Sequence, residues 1–242
     1  MNMERNLSLV IGFVALISPL QAGNVILGPD QSGSSFRFVN LQEEGDSVPP
    51  TILQTPTLVT TPRDTIKFSP SAFVAVTNAA ATTVTQILST QLSFTLQALA
   101  PSNGLDALQV SVAGTWNEVA FTMPGATATA ALSLQLDLIS GGVTKNLNIA
   151  VTKDLSGTWA GSLTVTRQFL NDNFTVPATG LTELLIRTTQ TVSATAAYGN
   201  ASSAITYLDV SASAVPEPSS ASLLLVGAAV LGLARRRQKL QT

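Results

Sequence analysis

Two tryptophans and a few clustered oxygen-bearing side chains are the residues of this 242-residue chain with chemistry to offer. Trp116 and Trp159 each close a Gly-Thr-Trp triplet, Gly114-Thr115-Trp116 and Gly157-Thr158-Trp159. A flat indole stacks on the apolar face of a sugar ring, so the pair is the candidate sugar contact, although the same ring also serves as a core or sheet-edge filler. Both triplets precede alternating runs, which places the indoles at strand starts near the rim. Glu43, Glu44 and Asp46 form the densest acidic cluster. Paired carboxylates are what glycoside hydrolysis requires, and oxygen ligands are what calcium requires. A second oxygen-rich stretch, Asn171-Asp172-Asn173, is the other calcium candidate. The bland alternatives are a solvated loop for the acidic cluster, given its Pro/Gly context, and an Asx turn bonding its own backbone for the second. Neither cluster is assigned a catalytic or metal role.

What is missing narrows the chemistry further. The chain has no histidine and no cysteine. That removes disulfides, thiolate nucleophiles, Ser-His-Asp catalysis and nearly every transition-metal site. Nucleophile-elbow, Ser-x-x-Lys, phosphate-loop, dinucleotide and EF-hand patterns are absent as well. Residues 23–215 carry seven Lys/Arg against twelve Asp/Glu, a net charge of −5. With no basic stripe to neutralise phosphates, nucleic acid is not an expected partner. Only 11% of the chain is charged, against roughly 25% in an average soluble domain. Ser, Thr, Asn and Gln supply the polarity instead, as suits strands facing an extracellular medium.

The two ends read as addresses. Arg5 precedes the apolar run Leu7–Leu20, whose fourteen residues are short for a membrane span and right for a signal-peptide core. Pro19 breaks that helix, and Gln21-Ala22-Gly23 offers cleavage after Ala22. At the other end, Val215-Pro216-Glu217-Pro218 leads into the apolar stretch Leu223–Ala234 and then Arg235-Arg236-Arg237. Prolines on both sides of a glutamate can continue neither strand nor helix, which leaves the segment extended and open to a protease. An apolar helix would hold the chain in a bilayer, with the arginines cytoplasmic and the body outside. Ser219–Ala234 is sixteen residues, a marginal span suited to a temporary hold.

That order of parts resembles the PEP-CTERM sorting signal: a Pro-Glu-Pro triplet, a short hydrophobic helix and a terminal basic cluster. The resemblance covers the C-terminal tail alone. It implies an exosortase-type membrane protease as partner, transient residence in the inner membrane after secretion, and release to the cell surface or extracellular matrix of a Gram-negative-type bacterium that makes exopolysaccharide.

Between the addresses, period-2 alternation predicts strands with one dry and one wet face. Leu92, Phe94 and Leu96 alternate with Ser93 and Thr95; Leu132, Leu134, Leu136 and Leu138 with Ser133, Gln135 and Asp137; Leu147, Ile149 and Val151 with Asn148; Val192, Ala194 and Ala196 with Ser193 and Thr195. Val84–Ala100, the nearest approach to a helical stripe, reads as strand from its Ser/Thr content. Ser140-Gly141-Gly142 predicts a hairpin. Glu43–Pro62 reads as an irregular surface loop or edge. About ten strands at regular spacing predict an all-β antiparallel sandwich, jelly-roll or Ig-like, flanked by an N-terminal signal helix and a C-terminal transmembrane helix. The expected organisation is therefore a signal peptide (1–22), one β-sandwich domain (23–214) and a sorting tail (215–242). The expected function is a non-enzymatic, exported surface or matrix protein associated with exopolysaccharide. The alternatives are a carbohydrate-binding module and, more distantly, a carboxylate-dependent hydrolase.

Overall fold

The computed structural model describes residues 23–45, 54–60, 63–70, 73–100, 104–177 and 180–214. The signal helix expected before residue 23 and the tail from Val215 onward lie outside the described residues. In chain order the elements are β1 (Gly23–Ile26), β2 (Gln31–Ser32), β3 (Phe36–Gly45), β4 (Thr57–Val59), β5 (Asp64–Phe68), β6 (Val74–Ala79), β7 (Val84–Ala98), β8 (Leu105–Ala120), β9 (Thr127–Ser140), β10 (Val143–Ile149), β11 (Val151–Lys153), β12 (Thr158–Thr166), α1 (Arg167–Asn173), β13 (Glu183–Ala197) and β14 (Gly199–Ala214). They form two seven-stranded antiparallel sheets. The first runs β1-β3-β7-β13-β9-β10, with β2 on β3. The second runs β11-β12-β8-β14-β5-β4, with β6 on β14.

Alternation in the sequence becomes the two faces of each sheet. Leu92, Phe94 and Leu96 of β7, Leu134, Leu136 and Leu138 of β9, and Leu184 and Ile186 of β13 are buried from one side. Ile66, Phe68, Leu108, Val110, Val112, Leu208 and Val210 meet them from the other, in one continuous apolar cluster. Phe38 and Phe94 touch with ring centroids 5.8 Å apart and planes tilted by 51°, a geometry that aromatic quadrupoles favour. Burying side chains of this size contributes about 1.5–3 kcal/mol each, and a core built this way needs no disulfide. The interleaved Thr, Ser and Gln residues face outward and bond across strands, as Thr85 does to Thr195 (3.0 Å) and Ser89 to Thr191 (3.1 Å). Such pairs stabilise an exposed face.

Two irregularities redirect side chains. In β3 the register against β7 shifts between Val39 and Gln42, where Asn40 adopts a left-handed φ of 56°. That conformation is one that asparagine tolerates. The extra residue carries the inward set from Phe36 and Phe38 to Leu41 and Glu43. In β14 the register against β8 shifts between Ile205 and Tyr207. There Thr206 and Tyr207 are both exposed, between buried Ile205 and buried Leu208. Bulges of this kind re-aim side chains locally.

The structure revises several sequence expectations. Within Glu43–Pro62, expected as an irregular loop or edge, β3 continues to Gly45, while Thr57–Val59 forms β4 at the edge of the second sheet. The alternating run through Leu147, Ile149 and Val151 is two strands, since Ile149 ends β10 in the first sheet and Val151 opens β11 in the second. Alternation alone does not reveal a sheet change, because the inward face stays inward through the corner at Ala150. Asn171-Asp172-Asn173 is the end of α1 rather than a turn. Thr166 caps that helix by accepting a bond from the Phe169 N–H, and the Asn173 amide donates to Phe169 O at 2.9 Å. Among the described residues there are fourteen strands where about ten were expected; the extras are short pieces such as β1, β2, β4 and β11. Ser140-Gly141-Gly142 does form the β9–β10 hairpin, with both glycines at positive φ (57° and 79°), as a two-residue turn of this kind demands. No helix of the described residues is long and apolar enough to cross a membrane.

Candidate functional site

Trp116 and Trp159 come together. Trp159 is the second residue of β12, but Trp116 lies near the far end of β8 rather than at its start. The two Gly-Thr-Trp triplets pair with one another: Thr158 stands opposite Thr115 and Trp159 opposite Gly114, while the Trp116 N–H donates to Gly157 O at 2.8 Å. Each indole N–H then donates to the threonine carbonyl of the other triplet, Trp116 Nε1 to Thr158 O at 3.2 Å and Trp159 Nε1 to Thr115 O at 3.1 Å. The ring centroids are 6.3 Å apart, tilted by 57°.

Both indoles point to the inward side, at the end of the sandwich where Ala120 pairs with Gly199. Trp159 is buried and Trp116 half-buried. Lys153, opposite Trp159 on β11, holds its ammonium 3.9 Å from the Trp116 centroid and 5.5 Å from that of Trp159, a cation–π arrangement. The same ammonium pairs with Glu118 Oε1. That oxygen also accepts the N–H of Ala130 at 2.6 Å, on β9 of the opposite sheet, beyond Leu134 where pairing with β10 stops. The cluster therefore fastens one sheet to the other. A sugar ring would have to compete with Lys153 for the face of Trp116.

The acidic candidates separate. Glu43 is 1% exposed, and its Oε1 accepts a bond from the Thr90 hydroxyl at 2.9 Å. Glu44 is exposed on the opposite side of the strand, as adjacent strand residues must be. The expected solvated loop is thus corrected for Glu43, whose carboxylate was turned inward by the bulge at Asn40. Asp46 lies outside the described residues, as do the sorting residues Val215, Pro216, Glu217 and Pro218 and the basic cluster Arg235, Arg236 and Arg237. Among the described residues, no three His, Cys, Asp or Glu side chains gather to hold a metal ion.

A carboxylate with no sequence signal is held by a cluster of four hydrogen bonds. Asp64, at the start of β5, accepts the backbone N–H groups of Ser34 (2.8 Å), Ser35 (2.7 Å) and Phe36 (2.8 Å) and the Ser34 hydroxyl (2.8 Å). Consecutive N–H groups curled toward an anion form a nest. Burial pushes the Asp64 carboxyl up, and these four bonds outweigh it, leaving the group below the usual carboxylate range. A Cβ on Gly33 would lie 2.3 Å from Asp64 Cγ, so only glycine lets the chain approach this closely. Asp154, in the turn between β11 and β12, is held down to about 2 by the Thr158 hydroxyl and N–H and by the Ser156 hydroxyl, despite full exposure. These bonds fix the turn that leads into the Gly157-Thr158-Trp159 triplet.

Comparison with known proteins identifies the tail. Residues 214–238 match the family model described as the PEP-CTERM protein-sorting motif. The chain thus carries the signal that marks exported proteins for an exosortase, starting at the last residue of β14. No curated protein matches the chain. Among solved structures, TmCBM61 in complex with beta-1,4-galactotriose overlaps 71% of this chain and 88% of its own, with 12% identity and a TM-score of 0.26. An overlap that loose relates no residue of one chain to a residue of the other.

Proposed function

We propose that this protein is a non-enzymatic structural component of the cell surface or extracellular matrix, exported in unfolded form, retained briefly at the inner membrane by its tail and freed by an exosortase-type protease to associate with exopolysaccharide. The observation that carries the reading is the sorting motif matched at residues 214–238. Supporting it, the described strands begin at Gly23 and end at Ala214, so cleavage after Ala22 and near Pro216 would leave every strand intact. The retained body suits exposure, with a disulfide-free core and hydroxyl- and amide-covered faces.

Mass spectrometry of protein recovered from envelope, outer surface and medium tests the reading. The expected product has its N-terminus near Gly23 and its C-terminus within Pro216–Ser219. Recovery of full-length chain alone, in the inner membrane with Arg235–Arg237 attached, would reject it.

A further inference from the structure

The outward face of the second sheet carries a groove of about 470 Å³, whose lining includes Gln109, Ser111, Thr152, Ala160, Ser162 and Tyr207. That volume lies within the range of small-ligand sites, roughly 300–1,000 Å³. It crosses four neighbouring strands, β11, β12, β8 and β14, which lie about 4.8 Å apart, and it reaches along them from Gln109 to the level of Ala113, opposite Tyr207.

Its composition is specific. None of these residues is charged. Ser111, Thr152 and Ser162 offer hydroxyls that both donate and accept, and Gln109 offers its amide N–H groups, its Oε1 already accepting from Arg63 Nη1 at 3.3 Å at the margin of the groove. Tyr207 stands among them, 41% exposed. The β14 bulge puts it there: with Thr206 inserted, Tyr207 pairs opposite Ala113 of β8 on the outer side, where regular alternation would have put Thr206 out and Tyr207 in. Ala113 and Ala160, the nearest outward residues on β8 and β12, are too small to cover the ring. Two strand positions from Tyr207, Asp209 pairs with Lys67 at 3.7 Å, adding a carboxylate acceptor at the margin. An open aromatic face flanked by neutral donor–acceptor groups has the dual character of a sugar ring, apolar on its faces and hydroxylated around its rim.

From this geometry we infer that the groove binds a short neutral oligosaccharide segment, with Tyr207 stacked on a sugar face and Gln109, Ser111 and Ser162 bonding its hydroxyls. This rests on the proposed association with exopolysaccharide and gives it a place: the outer face of the second sheet, not the Trp116–Trp159 cluster, whose rings are engaged by Lys153 and by each other.

The test is titration calorimetry of the exported protein with linear neutral gluco-, galacto- and manno-oligosaccharides, and with an oligogalacturonate as the charged comparison. The groove predicts binding of at least one neutral probe in preference to the oligogalacturonate. Tyr207→Ala should weaken that binding by about tenfold or more, as loss of a central aromatic anchor does, while Tyr207→Phe keeps it. Ala160→Trp, which fills the groove from an exposed position, should abolish binding with the melting temperature unchanged, so a folding defect in Tyr207→Ala would not obscure the result. Absence of binding to every probe, preference for the oligogalacturonate, or binding that survives both Tyr207→Ala and Ala160→Trp would overturn the inference. Correctly processed protein that binds no probe would leave the sorting reading standing, and unprocessed inner-membrane protein that binds would leave the groove standing.

Discussion

Trp116 and Trp159 exchange hydrogen bonds, each indole N–H donating to the carbonyl of the threonine that precedes the other. Two copies of one triplet, Gly-Thr-Trp, lie antiparallel about a local centre at Thr115 and Thr158. Aromatic rings set cross-strand from glycines recover packing that the missing side chains would leave open. With Lys153 and Glu118 added, the pair fastens the two sheets at one end of the sandwich.

The pair should behave as a unit in denaturation experiments. Trp159→Ala, at a buried position, is expected to cost about 3–5 kcal/mol, and Trp116→Ala less. A double-mutant cycle should reveal coupling of about 0.5–1.5 kcal/mol. Additive losses in urea melts would show that the rings merely sit side by side.

Gly114 should tolerate no side chain. A Cβ there would lie 2.0 Å from the carbonyl oxygen of Ala204, and the obstacle is backbone. Gly114→Ala is expected to cost about 3 kcal/mol or more, or to prevent folding. Gly125→Ala, with open space around it but a φ of 81°, should cost about 1 kcal/mol. Equal melting temperatures for the two variants would contradict this.

Acid should loosen the contact between β5 and the β2–β3 turn. Because the folded state holds the Asp64 carboxyl below its ordinary value, its contribution is complete above about pH 4 and is lost as pH falls through the lowered folded value. Asp64→Asn keeps the shape but surrenders the charge-assisted bonds, at an expected cost of about 1–3 kcal/mol at neutral pH. The stability of that variant should fall less steeply than the native protein's below pH 4. Parallel pH–stability curves would mean that Asp64 is not the group responsible.

The turn at Asp154 offers a direct titration. Its carboxyl should titrate near 2 by NMR, and Thr158→Val should return the midpoint toward 3.8, since the Thr158 hydroxyl is the largest cause of the depression. The lowered value means the turn is at full strength above 3.8 and relaxes as pH falls through about 2. A native midpoint near 4 would refute the hydrogen-bonded turn.

Sequence alone determined the all-β antiparallel character, the Ser140-Gly141-Gly142 hairpin, the strand over Val84–Ala98 and the sorting signal in the tail. Each is a local signal: period-2 alternation, turn chemistry, or an ordered string of proline, apolar and basic residues. Tertiary structure decided the rest. Strand register brought the Gly-Thr-Trp triplets together from 43 positions apart. One inserted residue in β3 turned Glu43 into the interior, and one in β14 turned Tyr207 out to the groove. A shift of one residue exchanges the two faces of a strand. Whether a strand contains such a shift depends on the partner it pairs with, which no local window of the chain records.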